Sequence, residues 1–394
     1  MTRTLNLIAL VVFACSLFMR STDPVIPQIA FGLKVEPATA ALLTSAFTLP
    51  YALIQPFLGA LGDAMSKARL MLACVFIVAT ATIICGSAQR FEVLLGARMV
   101  AGMAAGGVVP IAFALVGDMV PVNERQVAMG RLLFAIMTGN LLGATFAGIV
   151  SDLAGWRGMF FSLGGFGLIV LAAAVPGFRG IKETPGAFDL RQIVRNYRII
   201  FRNPLAKICF GAVFLEGLFM YGAFPHLATM MHDAGETRAA IVGVVIAGFG
   251  IGGALYGVFV SRLLPVLGER GMMRYGGAAM GLCLAGIAAM LPWPIEFANF
   301  MLLGFAFYSL HAVIQIYASE LAPSARGSAV ALFACGFFIG QGLGPPIFAA
   351  LLHGIGPRAA LVAVAIAIVV LGHTVVTRVI DRRVIAGTAG RAPR

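Results

Sequence analysis

Two short stretches decide the fold: DMVPVNER at residues 118–125 and ELAPSARG at residues 320–327. Each has an acidic residue, a proline three positions later and an arginine near the start of an apolar segment. Arg125 and Arg326 are 201 residues apart, and so are Gly139 and Gly340 in the segments that follow. A repeat at about half of a 394-residue chain predicts two related halves.

The composition around these repeats is that of a membrane protein. Hydrophobic residues make up 60% of the chain and charged residues 11%, whereas soluble domains have about 45–50% and about 25%. A bilayer core requires roughly 20 apolar residues per helix. We predict an all-α polytopic membrane protein with twelve transmembrane helices in two pseudo-symmetric six-helix bundles. The predicted spans are 5–30, 38–62, 69–88, 92–117, 126–150, 157–176, 206–230, 239–263, 272–291, 295–318, 327–352 and 357–379.

The longest gap between spans, 177–205, divides the chain near its middle. We therefore predict an N-terminal bundle at 1–177, a cytoplasmic linker at 178–205, a C-terminal bundle at 206–380 and a cytoplasmic tail at 381–394. Between Asp189 and Phe201 the linker alternates apolar and basic residues at helical spacing. This pattern predicts a short amphipathic helix suited to an anionic leaflet; a solvated linker is the alternative.

The positions of the positive charges predict the orientation. With the N-terminus inside, 21 of the 28 Lys and Arg residues lie in cytoplasmic segments, 5 on the opposite side and 2 within spans. This asymmetry predicts an integral protein of the bacterial inner membrane with both termini cytoplasmic. It also accounts for the net charge of +12 without nucleic acid. The first apolar run is too long for a signal-peptide core, so we expect it to be retained. We expect a monomer in contact with membrane lipid.

The loop after the second predicted span reads GALGDAMSKAR at residues 59–69. It resembles the signature loop of the major facilitator superfamily, G-x-x-x-D-[RK]-x-G-[RK]-[RK]. Gly59, Asp63 and Lys67 match, three other positions depart, and Arg69 supplies a displaced charge. The resemblance implies a transporter fold in which this loop is a conformational latch. The predicted latch residues are Gly59, Asp63, Lys67, Arg69, Asp118 and Arg125.

The fifth and eleventh spans are rich in glycine, which allows helices to approach closely. The fifth span resembles the superfamily's antiporter motif G-x-x-x-G-P-x-x-G-G, although Ala144 replaces the proline. This similarity implies the drug- or sugar-exporter-like proton antiporter branch. The massed glycines predict close, sliding contacts between helices, and ordinary static packing is the alternative. The predicted helix-packing residues are Gly139, Gly143, Gly148, Gly340, Gly344 and Pro345.

Ionisable residues within spans are costly and are therefore functional candidates. Asp23 and Arg20 lie late in the first span beside two prolines, and Arg98 enters the fourth span from its outer end. The depths of Asp23 and Arg98 agree within a few ångström at ~1.5 Å per residue. We hypothesise an Asp23–Arg98 pair that opens when Asp23 is protonated; a static ion pair is the alternative.

In the second half, Glu216 is the only carboxylate deep within a span. We predict that it contacts a proton or a substrate; a hydrogen-bonded structural acid is the alternative. His311 and Gln315 are four residues apart, on one helical face, with Tyr308 nearby. The predicted substrate cavity comprises Glu216, Tyr221, Tyr308, His311 and Gln315, and the predicted proton-coupling residues are Asp23, Arg98, Arg20 and Glu216.

These features predict a secondary transporter that exports a small organic molecule in exchange for protons. A facilitator, or a proton symporter that imports a sugar, amino acid or organic acid, is the alternative. The sequence has no nucleophile–base set, metal-ligand spacing or GxxxxGK[ST] phosphate loop. We therefore expect no catalytic residue, no metal and no cofactor, and a proton gradient as the driving force.

Overall fold

The computed structural model describes residues 2–179, 181 and 190–380, except for the side chains at 2, 58–64, 122–123, 190, 193 and 379–380. All regular secondary structure in these residues is helical, which confirms the predicted all-α class. Nine helices in the described part of the chain are long and apolar enough to cross a membrane. The predicted tail at 381–394 lies outside the described residues.

The chain folds into two compact units. One comprises the chain up to Leu190 together with Phe224–Ala247, and the other comprises Arg191–Ala223 and the chain from Gly248 onward. The bundle boundaries near 177 and 206 stay a prediction. The helices are α1 (Thr2–Leu17), α2 (Ile26–Leu33), α3 (Pro37–Ala64), α4 (Lys67–Ser87), α5 (Phe91–Met119), α6 (Val122–Phe178), α7 (Leu190–Arg202), α8 (Ala206–Gly222), α9 (Phe224–Asp233), α10 (Ala239–Ile287), α11 (Trp293–Ser319), α12 (Arg326–Ile355) and α13 (Pro357–Val375).

The core of the first unit lies among α1, α4, α5 and α6. Val11, Met71, Ile111, Leu115 and Leu132 from these four helices are buried in one apolar cluster. Because lipid tails are as apolar as these side chains, the helices associate by close packing more than by hydrophobic burial.

Two helices are interrupted by glycines with a left-handed φ angle. In α6, Gly155 has φ 71° and ψ 167°, and in α10, Gly268 has φ 63° and ψ 172°. Only glycine adopts this backbone conformation readily, because it has no Cβ atom. Helix α6 has 57 residues and α10 has 49, so each is long enough for two crossings of a ~30 Å bilayer core.

Glycines of α6 bring its backbone against α1. A Cβ atom placed on Gly139 would lie 2.6 Å from the carbonyl oxygen of Phe13, and one on Gly143 would lie 2.5 Å from that of Leu17. No real side chain has space at such distances. The two helices are therefore in backbone contact along the repeated glycines.

The second unit contains the same arrangement between α8 and α12. A Cβ atom on Gly340 would lie 2.0 Å from the carbonyl oxygen of Phe214, and one on Gly344 would lie 2.6 Å from that of Leu218. These four residues follow their counterparts in the first unit by 201 positions. The repeat thus extends from the glycines to the residues they contact. The neighbouring Pro345 is buried within α12.

Candidate functional site

The first cluster of buried polar residues lies where α1 gives way to α2. Residues 18–22 leave the helix, and a single 3₁₀ turn at Asp23–Val25 precedes α2. Prolines at 24 and 27 have no N–H group, so they cannot continue the hydrogen bonding of α1. The interruption frees the carbonyl of Phe18, which accepts a hydrogen bond from Ser21 Oγ at 3.0 Å and one from Arg98 Nη1 at 3.3 Å.

Asp23 is fully buried in this cluster, and both of its carboxylate oxygens are occupied. Oδ2 forms an ion pair with Arg20 Nη1 at 3.1 Å, and Oδ1 accepts a hydrogen bond from Thr44 Oγ1 at 2.8 Å. Burying a charge is tolerated when it is paired and hydrogen-bonded in this way. The sequence did not single out Thr44, because its role depends on the packing of α3 against the break.

The sequence suggested Arg98 as the ion-pair partner of Asp23, but the structure pairs Asp23 with Arg20 and places Arg98 beside it in the same cluster, on backbone carbonyls. Arg98 is 1% exposed. Its Nε donates to the carbonyl oxygen of Leu43 at 3.5 Å, and its guanidinium lies 4.3 Å from the centre of the Phe47 ring. Arg20, three residues before Asp23, occupies the carboxylate instead. Equal depth along two helices therefore did not predict contact, since contact also depends on which way each side chain points.

The second cluster joins α8 and α11 in the second unit. Glu216 Oε2 lies 2.7 Å from His311 Nδ1, and the Glu216 side chain is fully buried. The other oxygen, Oε1, has no hydrogen-bond partner among the described residues. A buried carboxylate oxygen without a partner is costly. It is therefore a candidate position for a proton or for a cationic group of a ligand.

Aromatic rings surround this pair. The centre of the His311 ring lies 4.9 Å from Phe307, 5.1 Å from Phe333 and 4.9 Å from Phe337. Tyr221 packs edge-on against Phe337 at 5.5 Å. Tyr221 and His311 were predicted from the sequence, whereas the three phenylalanines were not. The i, i+4 spacing of Phe307 with His311, and of Phe333 with Phe337, was the available signal.

The remaining predicted cavity residues differ in their surroundings. Tyr308 stacks on Tyr256 at 6.2 Å and packs against Phe249 at 6.4 Å. Gln315, one turn after His311, is exposed. Within the described part of the chain, no three His, Cys, Asp or Glu side chains come together as a metal site requires.

Four of the predicted latch residues make polar contacts in the first unit, and the latch itself stays a prediction. Lys67 Nζ lies 3.1 Å from Asp118 Oδ2, which links the start of α4 to the end of α5. Arg125 Nη2 donates a hydrogen bond of 3.4 Å to the carbonyl oxygen of Val120, which follows the last residue of α5. The backbone N–H of Arg69 donates to the hydroxyl of Ser66, which caps the N-terminus of α4. The predicted roles of Gly59 and of the Asp63 side chain fall on residues 58–64, whose surroundings lie outside the described part of the chain.

An acidic side chain that the sequence analysis missed caps α10. Asp152 accepts hydrogen bonds from the backbone N–H groups of Ala239 at 3.0 Å and Ala240 at 2.8 Å, and from Gln28 Nε2 at 3.2 Å. A carboxylate at a helix N-terminus satisfies unpaired donors and complements the helix dipole. The predicted packing residue Gly148 lies in the same contact, because a Cβ atom there would be 2.3 Å from the Ala239 carbonyl oxygen.

A cavity of about 890 Å³ lies in the first unit between α2 and α9. Its polar lining includes Gln28, Lys34, Asp233 and Glu236. Hydrogen bonds from Arg238 lower the pKa of the Glu236 carboxyl. The cavity is lined by both signs of charge, so it does not define a ligand by charge alone.

Apolar helices long enough to cross a membrane, together with ionisable clusters buried among them, are typical of a membrane transport protein. The chain matches the sequence profile of the Major Facilitator Superfamily over residues 8–299 and 242–392. The protein therefore belongs to the Major Facilitator Superfamily, is an integral membrane transporter and is not an enzyme.

Two relatives agree with this assignment. The chain is 25% identical over 343 residues to the uncharacterized MFS-type transporter YceJ of Bacillus subtilis, covering 85% of this chain and 87% of that protein. It is 23% identical over 356 residues to the quinolone resistance protein NorA of Staphylococcus aureus, covering 88% and 90%.

The fold is similar to that of solved transporters. The inward-facing bacterial homologue of the human lysosomal transporter Spinster aligns with a TM-score of 0.72 at 20% identity, over 94% of this chain and 95% of that one. A POT family transporter aligns with a TM-score of 0.77 at 12% identity, over 95% and 96%. At these identities the likeness concerns the fold alone.

Proposed function

We propose that the protein is a proton-coupled secondary transporter that exports a small organic molecule by alternating access. In this proposal it has twelve transmembrane helices in two six-helix repeats, and it lies in the bacterial inner membrane with both termini cytoplasmic. It acts as a monomer without a cofactor, and the proton gradient drives it. The observation that carries the proposal is the Glu216–His311 pair with its unpartnered, fully buried carboxylate oxygen.

Three interruptions within helices, together with the internal repeat, support twelve spans. In this proposal α6 and α10 each cross twice, on either side of their interruptions at Gly155 and Gly268, and α1 with α2 forms a broken first span. The repeat also extends to further helices. A Cβ atom on Gly102 would lie 2.0 Å from the Phe47 carbonyl oxygen, and one on Gly304 would lie 1.9 Å from that of Phe249. Both residues of the second pair follow those of the first by 202 positions.

The chemistry of the Glu216–His311 pair suits exchange. Glu216 Oε1 can be satisfied by a proton or by a cationic substrate group, and one occupant excludes the other. Mutual exclusion at one site couples the outward movement of substrate to the inward movement of protons. The rings of Phe307, Phe333 and Phe337 favour a substrate with apolar or aromatic surface, and they stabilise cationic groups placed over their faces.

Asp23 remains in the proposed proton path, with Arg20 in place of Arg98 as its ion-pair partner. Protonation of Asp23 would remove its attraction to Arg20 beside the interrupted helix. Broken helices near the bilayer midplane are common at the sites of secondary transporters. The direction of transport rests on the similarity to NorA, whose name records quinolone resistance, and on the antiporter-like glycines of the fifth predicted span.

The proposal is tested in proteoliposomes with an imposed pH gradient and a panel of aromatic amines, sugars, amino acids and organic acids. An exchanger takes up its substrate when the lumen is acidic, whereas a symporter does so when the outside is acidic. This difference does not depend on the orientation of the protein in the vesicle. Uptake driven only by outside acid would establish the importing alternative.

Glu216→Gln is expected to abolish proton-driven uptake, because the amide keeps the shape of the side chain and cannot exchange a proton. Glu296→Gln is the matched control. Glu296 is 2% exposed, and both of its oxygens are hydrogen-bonded, by the Leu291 N–H at 3.1 Å and by Asn299 Nδ2 at 3.3 Å. Full proton-driven uptake by Glu216→Gln would overturn the coupling role of Glu216.

A further inference from the structure

Helix α7 presents four arginines on one side. Arg191, Arg195, Arg198 and Arg202 are all exposed. At about 100° per residue, they fall within roughly 60° of arc around the helix. They span about 16 Å along its axis, at ~1.5 Å per residue. We call this set the arginine stripe.

The opposite side of α7 is fixed to the second unit. Ile200 is fully buried, and Asn196 Nδ2 donates to Ser328 Oγ at 3.1 Å. Just after the helix, Asn203 Nδ2 donates to the Leu321 carbonyl oxygen at 3.0 Å. Since these contacts lie on the far side of the helix from the arginines, the arginine stripe points away from the protein.

The charge of the arginine stripe is not neutralised by ion pairs among the described residues. None of its four arginines forms an ion pair with a described residue, although Arg195 donates to Gln192. One edge of the stripe is apolar, because Val194 is 48% exposed and Phe201 is 50% exposed on the same side of the arginines. Guanidinium groups flanked by exposed apolar side chains match the boundary between phospholipid headgroups and acyl chains.

We propose that the arginine stripe is a binding surface for anionic phospholipid headgroups, with Val194 and Phe201 inserted at the level of the acyl chains. Guanidinium groups bind phosphate oxygens in pairs of parallel hydrogen bonds. The proposal stands apart from transport activity, since it needs no substrate or proton.

The surface is connected to the candidate site. Phe201 packs against Phe210 of α8 with ring centres 5.6 Å apart, and the Leu205 N–H donates to Asn203 Oδ1 at 3.0 Å. Helix α8 also contains Glu216. Bound lipid therefore restrains the end of the helix that contains the buried carboxylate.

The test measures binding of fluorescent phosphatidylglycerol and phosphatidylcholine to the purified full-length protein. Each arginine near an anionic surface contributes about fivefold to binding. The double substitution Arg195→Gln, Arg198→Gln should therefore weaken phosphatidylglycerol binding by more than about tenfold and leave phosphatidylcholine binding unchanged. Binding of phosphatidylglycerol should also weaken as salt is added.

Two controls make the result specific. Arg274→Gln with Arg358→Gln removes two exposed arginines of other helices, and this variant should bind phosphatidylglycerol like the unmodified protein. Arg195→Lys with Arg198→Lys keeps the charge and should restore most of the binding. Undiminished binding by the glutamine variant would overturn the proposal. Equal affinity for water-soluble glycerophosphoglycerol would also overturn it, because the surface would then bind a soluble anion without acyl chains.

Discussion

Replacing Gly340 with alanine places a methyl group where α12 contacts the backbone of α8. The added Cβ atom would lie 2.0 Å from the carbonyl oxygen of Phe214, whereas ordinary contact begins at 3.4 Å. The two atoms must therefore separate by about 1.4 Å. The obstructing atom belongs to the backbone of a helix, so it cannot move away by a change of rotamer. Overpacking of this kind costs about 1–3 kcal/mol.

Gly336→Ala is the matched control, one helical turn earlier on the same helix. A Cβ atom there would lie 3.6 Å from Val213 Cγ1, which is ordinary contact. Both substitutions gain about 1 kcal/mol of helix propensity. This gain cancels when the two variants are compared, which leaves the overpacking cost of about 1–3 kcal/mol as their difference.

The assay is thermal unfolding of both variants in the same detergent at one scan rate, because unfolding of large proteins is often irreversible and depends on the rate. At roughly 2–4 °C per kcal/mol for domains of 150–250 residues, Gly340→Ala should melt about 2–12 °C below Gly336→Ala. Equal melting temperatures would refute the close approach of α8 and α12.

Gly155→Ala and Gly268→Ala should each destabilise the protein by about 1–3 kcal/mol, because alanine is strained at their φ and ψ angles. Gly257→Ala, whose added Cβ atom meets nothing within 4 Å, should not lower the melting temperature; a similar loss for all three would contradict the argument. Thr44→Val should cost about 1.5–3 kcal/mol, because it removes a hydrogen bond to the buried carboxylate of Asp23. Thr44→Ser keeps the hydroxyl and should retain most of that stability in the same thermal assay. A loss for serine without a loss for valine would show that the methyl group matters instead of the hydrogen bond.

The helices and two of their interruptions could be read from local sequence. The predicted boundaries between 150 and 157 and between 263 and 272 contain Gly155 and Gly268, where the structure interrupts α6 and α10. Apolar length predicts helices in a membrane because every backbone polar group must be satisfied internally. The exposed arginines of α7 likewise followed from helical spacing alone.

The partners of the ionisable residues could not be read in the same way. Glu216 and His311 were each named from the sequence, yet their 2.7 Å contact joins residues 95 positions apart. Asp23 was assigned to Arg98 on equal depth, whereas the structure pairs it with Arg20 and Thr44. Depth along a helix follows from residue count, but the rotation of each helix about its axis follows from its packing.

The repeat of residues 118–143 at 320–344 illustrates the same division between what the sequence and the structure reveal. The sequence by itself determined that the chain is helical, that it has the apolar length of a membrane transporter, and that Gly139 and Gly340 occupy equivalent places. Only the tertiary structure decided what those glycines contact, the carbonyls of Phe13 and Phe214, which are themselves 201 residues apart. Hydropathy and spacing act within one helix, so the sequence reveals them directly. Backbone contact between helices depends on the shapes of two surfaces brought together from distant parts of the chain, and these surfaces exist only in the folded protein.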